Sequence, residues 1–160
     1  NSLHDNEMYS ILVNQGIPIE FDAAVMSEAE LVTIELDPKE VEKRRDFRNV
    51  LTFTIDPVDA KDFDDAISVQ FLENGNLEIG VHIADVSHYV RPDMAIDKEA
   101  YRRATSVYLV DRTIPMLPEA LSNDLCSLNP DVDRLTFSAV FTFNGKKEII
   151  NEWYGKTVIH

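Results

Sequence analysis

Five aspartates crowd into the ten residues from Asp56 to Asp65, at positions 56, 59, 62, 64 and 65, with Lys61 the only basic residue among them. Like charges this close repel, and the repulsion costs stability unless something positive binds between them. The cluster is not on a tail. Leu51-Thr52-Phe53-Thr54-Ile55 precedes it and Ala66-Ile67-Ser68-Val69-Gln70-Phe71 follows it. Both flanks read as strands, by alternation and by β-branched and aromatic content. A carboxylate knot held between two strands reads as a site for hard, oxygen-seeking divalent cations. The competing reading is a solvated loop whose aspartates are caps and turn residues.

The overall charge narrows the function classes. The chain has 160 residues, which fits one domain with an appendage. Hydrophobic residues make up 44% and aromatics 9%, enough for a core and against wholesale disorder. A formal net charge of −14 argues against a generic nucleic-acid binder. A metal-dependent phosphodiester enzyme escapes that objection, because bound cations reverse the local sign. Cys126 is the sole cysteine, which excludes an internal disulfide and a cysteine-based zinc site and suits a reducing, cytoplasmic compartment. No run is long and apolar enough to span a membrane, and there is no signal-peptide pattern. The chain opens at Asn1 without methionine and stops in the strand-like Lys156-Thr157-Val158-Ile159-His160, so it reads as a piece of a longer protein.

Residues 1–49 are expected to be a linker or helical region. Gln15-Gly16-Ile17-Pro18 is a turn, and Asp22 is placed to cap a helix from Ala23 to Leu31 with Val25, Ala29 and Leu31 facing inward. Asp37-Pro38-Lys39-Glu40 is a clearer start, with Asp as N-cap and Pro at the first helical position. The polar run after it predicts a surface helix, and Lys43 to Arg48 reads as a solvated basic face rather than an RNA contact. From residue 50 the pattern turns to strands. Glu73-Asn74-Gly75-Asn76 is a hairpin turn, Asp97 is expected to cap a helix, and Ser106 to Val110 is extended. Thr113 to Pro118 is rigid with its two prolines, and a helix starts at Pro118. Arg134 to Phe143 alternates, Asn144-Gly145 signals a type I′ turn, and Lys146 to Val158 is the return strand. The expected fold is α+β, a mainly antiparallel sheet with inserted helices.

An EF-hand loop fails on the acidic stretch. Counted from Asp62, Ile67 stands where glycine is required; counted from Asp56, Val58 occupies the third ligand position. A Mg²⁺ site fits better, because magnesium keeps several waters and needs few carboxylates. Two such ions about 4 Å apart would clamp the attacking and leaving oxygens of a phosphoryl displacement. Asp64 and Asp65 are adjacent and would face opposite ways in a regular strand, so a turn or bulge is needed for both to serve one site. Lys61 is placed to neutralise the cluster or to meet a phosphate.

The stretch TIDPVDAKDFDDA resembles the signature of the ribonuclease II / ribonuclease R family, in its catalytic RNB domain. The likeness continues through Val81 to Val90, Ser106 to Arg112, Ile114 to Pro118 and Leu121 to Leu128, in that order. Its wording is nearer bacterial ribonuclease R. The resemblance implies that residues 50–160 are the N-terminal part of an RNB catalytic domain. It implies a processive 3′ to 5′ exoribonuclease that hydrolyses single-stranded RNA to nucleoside 5′-monophosphates with Mg²⁺, for which Mn²⁺ can substitute, by a two-metal mechanism. The family's four metal-binding and catalytic aspartates fall on Asp56, Asp62, Asp64 and Asp65, and its base-stacking aromatic falls on Tyr108. Asp59 lies where the motif varies. The family's cold-shock and S1 domains, a catalytic arginine and a second stacking aromatic lie outside these residues, so the piece alone is expected to bind metal weakly and to be nearly inactive. The alternatives are a non-catalytic RNA- or protein-binding module on the same fold, and another Mg²⁺-dependent phosphatase or nuclease. His82 is expected to be a plain strand residue and Cys126 a small buried one. His88, Tyr89 and Arg112 are left between packing and RNA contact.

Overall fold

The structure, a computed structural model, describes residues 3–32 and 36–160. Its elements in chain order are α1 (Leu3–Asn14), α2 (Ala23–Leu31), α3 (Pro38–Val41), β1 (Arg45–Asp46), β2 (Thr52–Phe53), β3 (Asp65–Phe71) and β4 (Leu77–Ala84). There follow α4 (Val86–Tyr89), α5 (Ala95–Arg103), β5 (Val107–Tyr108), β6 (Thr113–Ile114), a π-helical turn Leu121–Leu125, β7 (Arg134–Phe143) and β8 (Ile149–Ile159). They form two compact units, one from the described residues of 1–32 and 90–122, the other from those of 33–89 and 123–160.

The second unit is a six-stranded sheet in the order β1-β8-β7-β4-β3-β2. All pairs are antiparallel except β1 with β8. The α+β reading therefore holds. The β3–β4 turn forms where expected, with Gly75 in the left-handed region at φ 79° and the Leu72 N–H donating to Asn76. The β7–β8 turn differs from the type I′ expectation. Phe143 pairs with Ile149, so five residues form the loop, and Lys147 rather than Gly145 takes the left-handed conformation. The Asn144 side chain explains this, since its Oδ1 accepts from the N–H groups of both Lys146 and Glu148.

One face of this sheet is buried and is largely polar. Ser68, Glu78, His82, Thr136, Ser138, Thr142 and Thr157 all point to it and are all buried. They survive burial because they are partnered. His82 Nδ1 lies 2.7 Å from Ser138 Oγ and its Nε2 lies 2.8 Å from Ser68 Oγ. The hydroxyls of Ser138, Thr157 and Thr136 continue the chain. Gly80 leaves the room required, for a Cβ there would meet Ser68 Oγ at 2.5 Å. The opposite face carries Ile67, Val69, Ile79, Val81 and Phe141, half-buried, with Phe71 80% and Phe137 50% exposed.

Residues 36–50 cover the polar face. Asp37 caps α3 as expected, accepting from the Lys39 N–H at 2.9 Å. The helix stops at Val41, however, so the basic run is not helical, and while Lys43 and Arg48 are exposed as expected, Arg44 is not. Arg44 is buried and donates to Asp85 at 2.7 Å, to Glu40, and to the carbonyls of Thr136 and Thr157. Arg45 pairs with Glu78 and lies over the rings of Phe47 and Trp153. Arg48 pairs with Asp46 and Asp133. Burial alone would raise the Asp85 pKa, but hydrogen bonds from Arg44 and Ser87 and the charges of Arg44 and Lys156 lower it overall.

The first unit holds α1, α2, α5 and the β5–β6 ribbon. The sequence offered no clear signal for α1, whose only buried side chain is Leu12. Helix α2 has the expected bounds, with Val25 and Ala29 buried, but Asp22 makes no side-chain cap bond and Leu31 is 79% exposed rather than inward. Helix α5 begins before Asp97, which instead accepts from the Asp93 N–H. Its first turn is capped from outside by Glu28 of α2, which accepts from the Ile96 N–H at 3.0 Å. Arg103 ties this unit together by donating to the carbonyls of Pro18, Glu20 and Pro115. Among the described residues no helix is long and apolar enough to cross a membrane.

Two stability predictions follow from the polar face. Removing Arg44 as Arg44→Met leaves the buried Asp85 carboxylate with only Ser87 and a longer contact to Lys156, and is expected to cost about 3 kcal/mol in urea unfolding. Burial and the Arg45 charge depress the His82 pKa to about 4. A depressed histidine disfavours the proton in the folded state, so stability is lost as pH falls from about 6.5 toward 4, by about 3 kcal/mol in all. Urea midpoints followed across that window are expected to fall steeply in the parent and less steeply in His82→Gln.

Candidate metal centre

The acidic stretch is a loop joining two adjacent antiparallel strands. Thr52 pairs with Ser68 and Phe53 with Ile67, so the chain leaves β2 and returns in β3 on its neighbour. The loop is fixed at several points. A turn at 57–60 closes with the Ala60 N–H donating to Pro57 at 3.0 Å. Ser127, fully buried, reaches the next segment from a distant part of the chain. Its hydroxyl donates to the Lys61 carbonyl at 2.9 Å and accepts from the Phe63 N–H at 3.1 Å. The Leu128 N–H donates to the Phe63 carbonyl at 2.9 Å, and the Ala84 N–H donates to the Asp64 carbonyl at 3.0 Å. Asp65 then opens β3 opposite Ile83. Asp64 is thus the last residue of the loop and Asp65 the first of the strand.

The electrostatics converge on Asp64. Partial burial of its carboxyl, then the charges of Asp62, Asp65 and Asp56, raise its pKa above the ordinary carboxylate value. These are the four aspartates singled out by the motif, while Asp59 is not among the charges acting on Asp64. Asp56, Asp59, Asp64 and Asp65 are exposed and Asp62 is half-buried. Among the described residues, no three His, Cys, Asp or Glu side chains converge tightly enough to grip an ion as they stand. The donor chemistry nonetheless fits a hard divalent cation. The motif's own side chains are hard carboxylate oxygens, and their mutual repulsion is what a cation relieves. Lys61 is exposed beside them.

The other singled-out residues divide clearly. Tyr108 lies on the two-residue strand β5 opposite Thr113 and is 64% exposed. Arg112 pairs with Asp111 and Asp5 and lies over the Tyr9 ring. The hydrogen bond from Arg112 is the main reason the Asp111 carboxyl falls to about 2. His88 meets the Tyr89 ring edge-on at 4.9 Å, and burial pushes Tyr89 up to about 12. Cys126 is buried as expected, its thiol pushed up to about 12 by burial. His82 is a neutral core residue. Sequence reasoning passed over Ser127 and Arg134. The visible signal was a lone hydroxyl in the apolar run Leu125-Cys126-Ser127-Leu128, which demands a partner once buried.

Residues 44–160 match the RNB domain family. Ribonuclease R 1 of Lactococcus lactis is 50% identical over 153 residues, covering 96% of this chain and 19% of that protein. DIS3-like exonuclease 2 of Schizosaccharomyces pombe is 58% identical over 122 residues, covering 76% of this chain and 13% of that protein. Mycoplasma genitalium RNase R, solved in complex with ribose-methylated single-stranded RNA, has a TM-score of 0.86 at 34% identity, covering 96% of this chain and 24% of that one. Yeast Ssd1, described as a pseudonuclease, has a TM-score of 0.70 at 27% identity, covering 78% of this chain and 16% of that one. The chain belongs to the RNB domain family. Within it, the likeness runs to ribonuclease R in both sequence and structure, and the chain spans about a fifth of the length of the Lactococcus lactis relative.

The raised pKa of Asp64 has a sign that can be checked. A carboxylate whose folded pKa is raised contributes stability at low pH that is lost as pH rises through the folded value. At neutral pH its ionised form therefore destabilises the metal-free fold. Asp64→Asn is expected to raise the thermal midpoint of the metal-free protein at neutral pH. It is also expected to shrink the midpoint gain on adding Mn²⁺, both read by calorimetry.

Proposed function

We propose that the protein containing this chain is a 3′ to 5′ exoribonuclease of the ribonuclease R type, degrading single-stranded RNA processively to nucleoside 5′-monophosphates. The observation that supports the reading is the placing of the four motif aspartates on one anchored loop between paired strands, within a fold similar to that of an RNase R solved with RNA. Asp56, Asp62, Asp64 and Asp65 would hold Mg²⁺, with Mn²⁺ able to replace it. Bound metal would supply charge neutralisation at the scissile phosphate and a water acidic enough to attack it. The chain's own part is to present the four carboxylates on one anchored loop. Tyr108 has an exposed ring suited to stacking on a terminal base, a contact that tolerates any base and suits a degradative enzyme. The acidic surface does not oppose RNA once cations occupy the loop. The chain alone is expected to cleave RNA poorly, since it spans a small share of the relatives it matches.

A second reading has one observation behind it, the likeness to a pseudonuclease. On that reading the fold binds RNA or a protein partner and cleaves nothing. Asp64→Asn in the full-length protein separates the two. The enzyme is expected to lose hydrolysis of a 3′-tailed RNA while its binding to the same RNA in a filter or anisotropy assay is retained. A parent protein that binds but never releases nucleotides under Mg²⁺ or Mn²⁺ would favour the second reading. Tyr108→Ala is expected to weaken RNA binding by about 1–3 kcal/mol if a single stacked base is lost.

A further inference from the structure

We propose that Ser127 is a positioning residue for the carboxylate loop, and that its buried hydroxyl sets the loop's affinity for divalent metal. The proposal rests on the metal reading of the loop given above. Its basis is the placement of one side chain. Ser127 Oγ donates to the carbonyl of Lys61 and accepts from the N–H of Phe63, the two residues on either side of Asp62. The hydroxyl thus bonds both peptide units that flank the Asp62 side chain. The next residue extends the latch, because Leu128 N–H holds the carbonyl of Phe63, one position before Asp64.

The latch is itself braced. Arg134, buried at the start of β7, donates from Nε to the Ser127 carbonyl at 2.9 Å and from Nη2 to Asp124 at 3.0 Å. The Ser127 N–H donates to the Asp124 carbonyl at 3.0 Å. A short turn, 124–127, is therefore fixed to the sheet and presents one hydroxyl to the loop. The loop needs such a hold. Its carboxylates repel, and a free loop would separate them; a loop tied at residues 61 and 63 cannot swing Asp62 away from Asp64. Holding like charges together before the ion arrives removes an ordering cost from metal binding. Groups that orient metal ligands without touching the metal typically govern affinity by roughly ten- to a hundred-fold.

The test is made on the full-length protein, with Mn²⁺ alone as the probe and binding read by calorimetry or electron paramagnetic resonance below the unfolding range. Ser127→Ala is expected to weaken Mn²⁺ binding by roughly ten- to a hundred-fold. Ser68→Ala removes an equally buried hydroxyl from the sheet and is expected to lower stability with Mn²⁺ affinity unchanged, which a merely structural role for Ser127 would also show. Asp64→Asn reports on the metal reading itself and is expected to weaken binding strongly. If Asp64→Asn weakens binding but Ser127→Ala does not, the positioning role is overturned and the metal site stands. If neither weakens it, the metal site lies elsewhere and both fall. Hydrogen exchange of the metal-free parent gives an answer even if Ser127→Ala does not fold. The Phe63 amide is expected to be protected, and exchange at the rate of a free loop amide would overturn the proposal.

Discussion

Mutual repulsion among aspartates on one loop is the force that the sheet unit is arranged to contain. Partial burial of Asp64, and then the charges of Asp62, Asp65 and Asp56, raise its pKa. Lys61 is the only basic residue within the loop, and it is exposed. Restraint comes from backbone bonds instead. The loop begins and ends on paired strands, and it is pinned between them by Ser127, Leu128 and Ala84. Neutral hydrogen bonds of this kind contribute about 1 kcal/mol each, so several together hold a geometry that a single one would not.

The sheet beneath the loop is rigid for an unusual reason. Its buried face is built from hydroxyls, a neutral histidine and paired charges, while its more apolar face is the more exposed one. Such a core has few alternatives, because each member must keep its partner to avoid a desolvation cost. The Ser68–His82–Ser138 bridge ties β3, β4 and β7 together, and Arg44 joins Asp85 at the end of β4 to backbone carbonyls of β7 and β8. Asp64 borrows this stiffness directly, since its carbonyl accepts from Ala84 on the end of the same strand.

Periodicity and turn chemistry were readable wherever they act locally. Strands β3, β4 and β7, the Gly75 turn and helix α2 all follow from patterns within a few residues. The failures are places where a distant group took over. Asp97 lost its capping role to Glu28 of another helix, and the Asn144-Gly145 turn lengthened because the Asn144 side chain bonds its own loop. The basic run from Lys43 looked like solvated surface, yet Arg44 is buried against Asp85, a residue 41 positions away. Alternation also says nothing about which side of a strand is covered, so the polar face would not have been chosen as the buried one.

The sequence by itself determined the chemistry: a dense set of aspartates between two strands, and ordered blocks resembling one family of ribonucleases. Those conclusions need only residue types and spacing, which the chain carries on its face. Tertiary structure alone decided how the carboxylates are held together. Ser127 lies more than sixty positions from the loop it grips, and only the folding of β7 against β4 brings its hydroxyl to Lys61 and Phe63. Repulsion within the cluster is written in the sequence; the bonds that withstand it are made by residues that meet only in the fold.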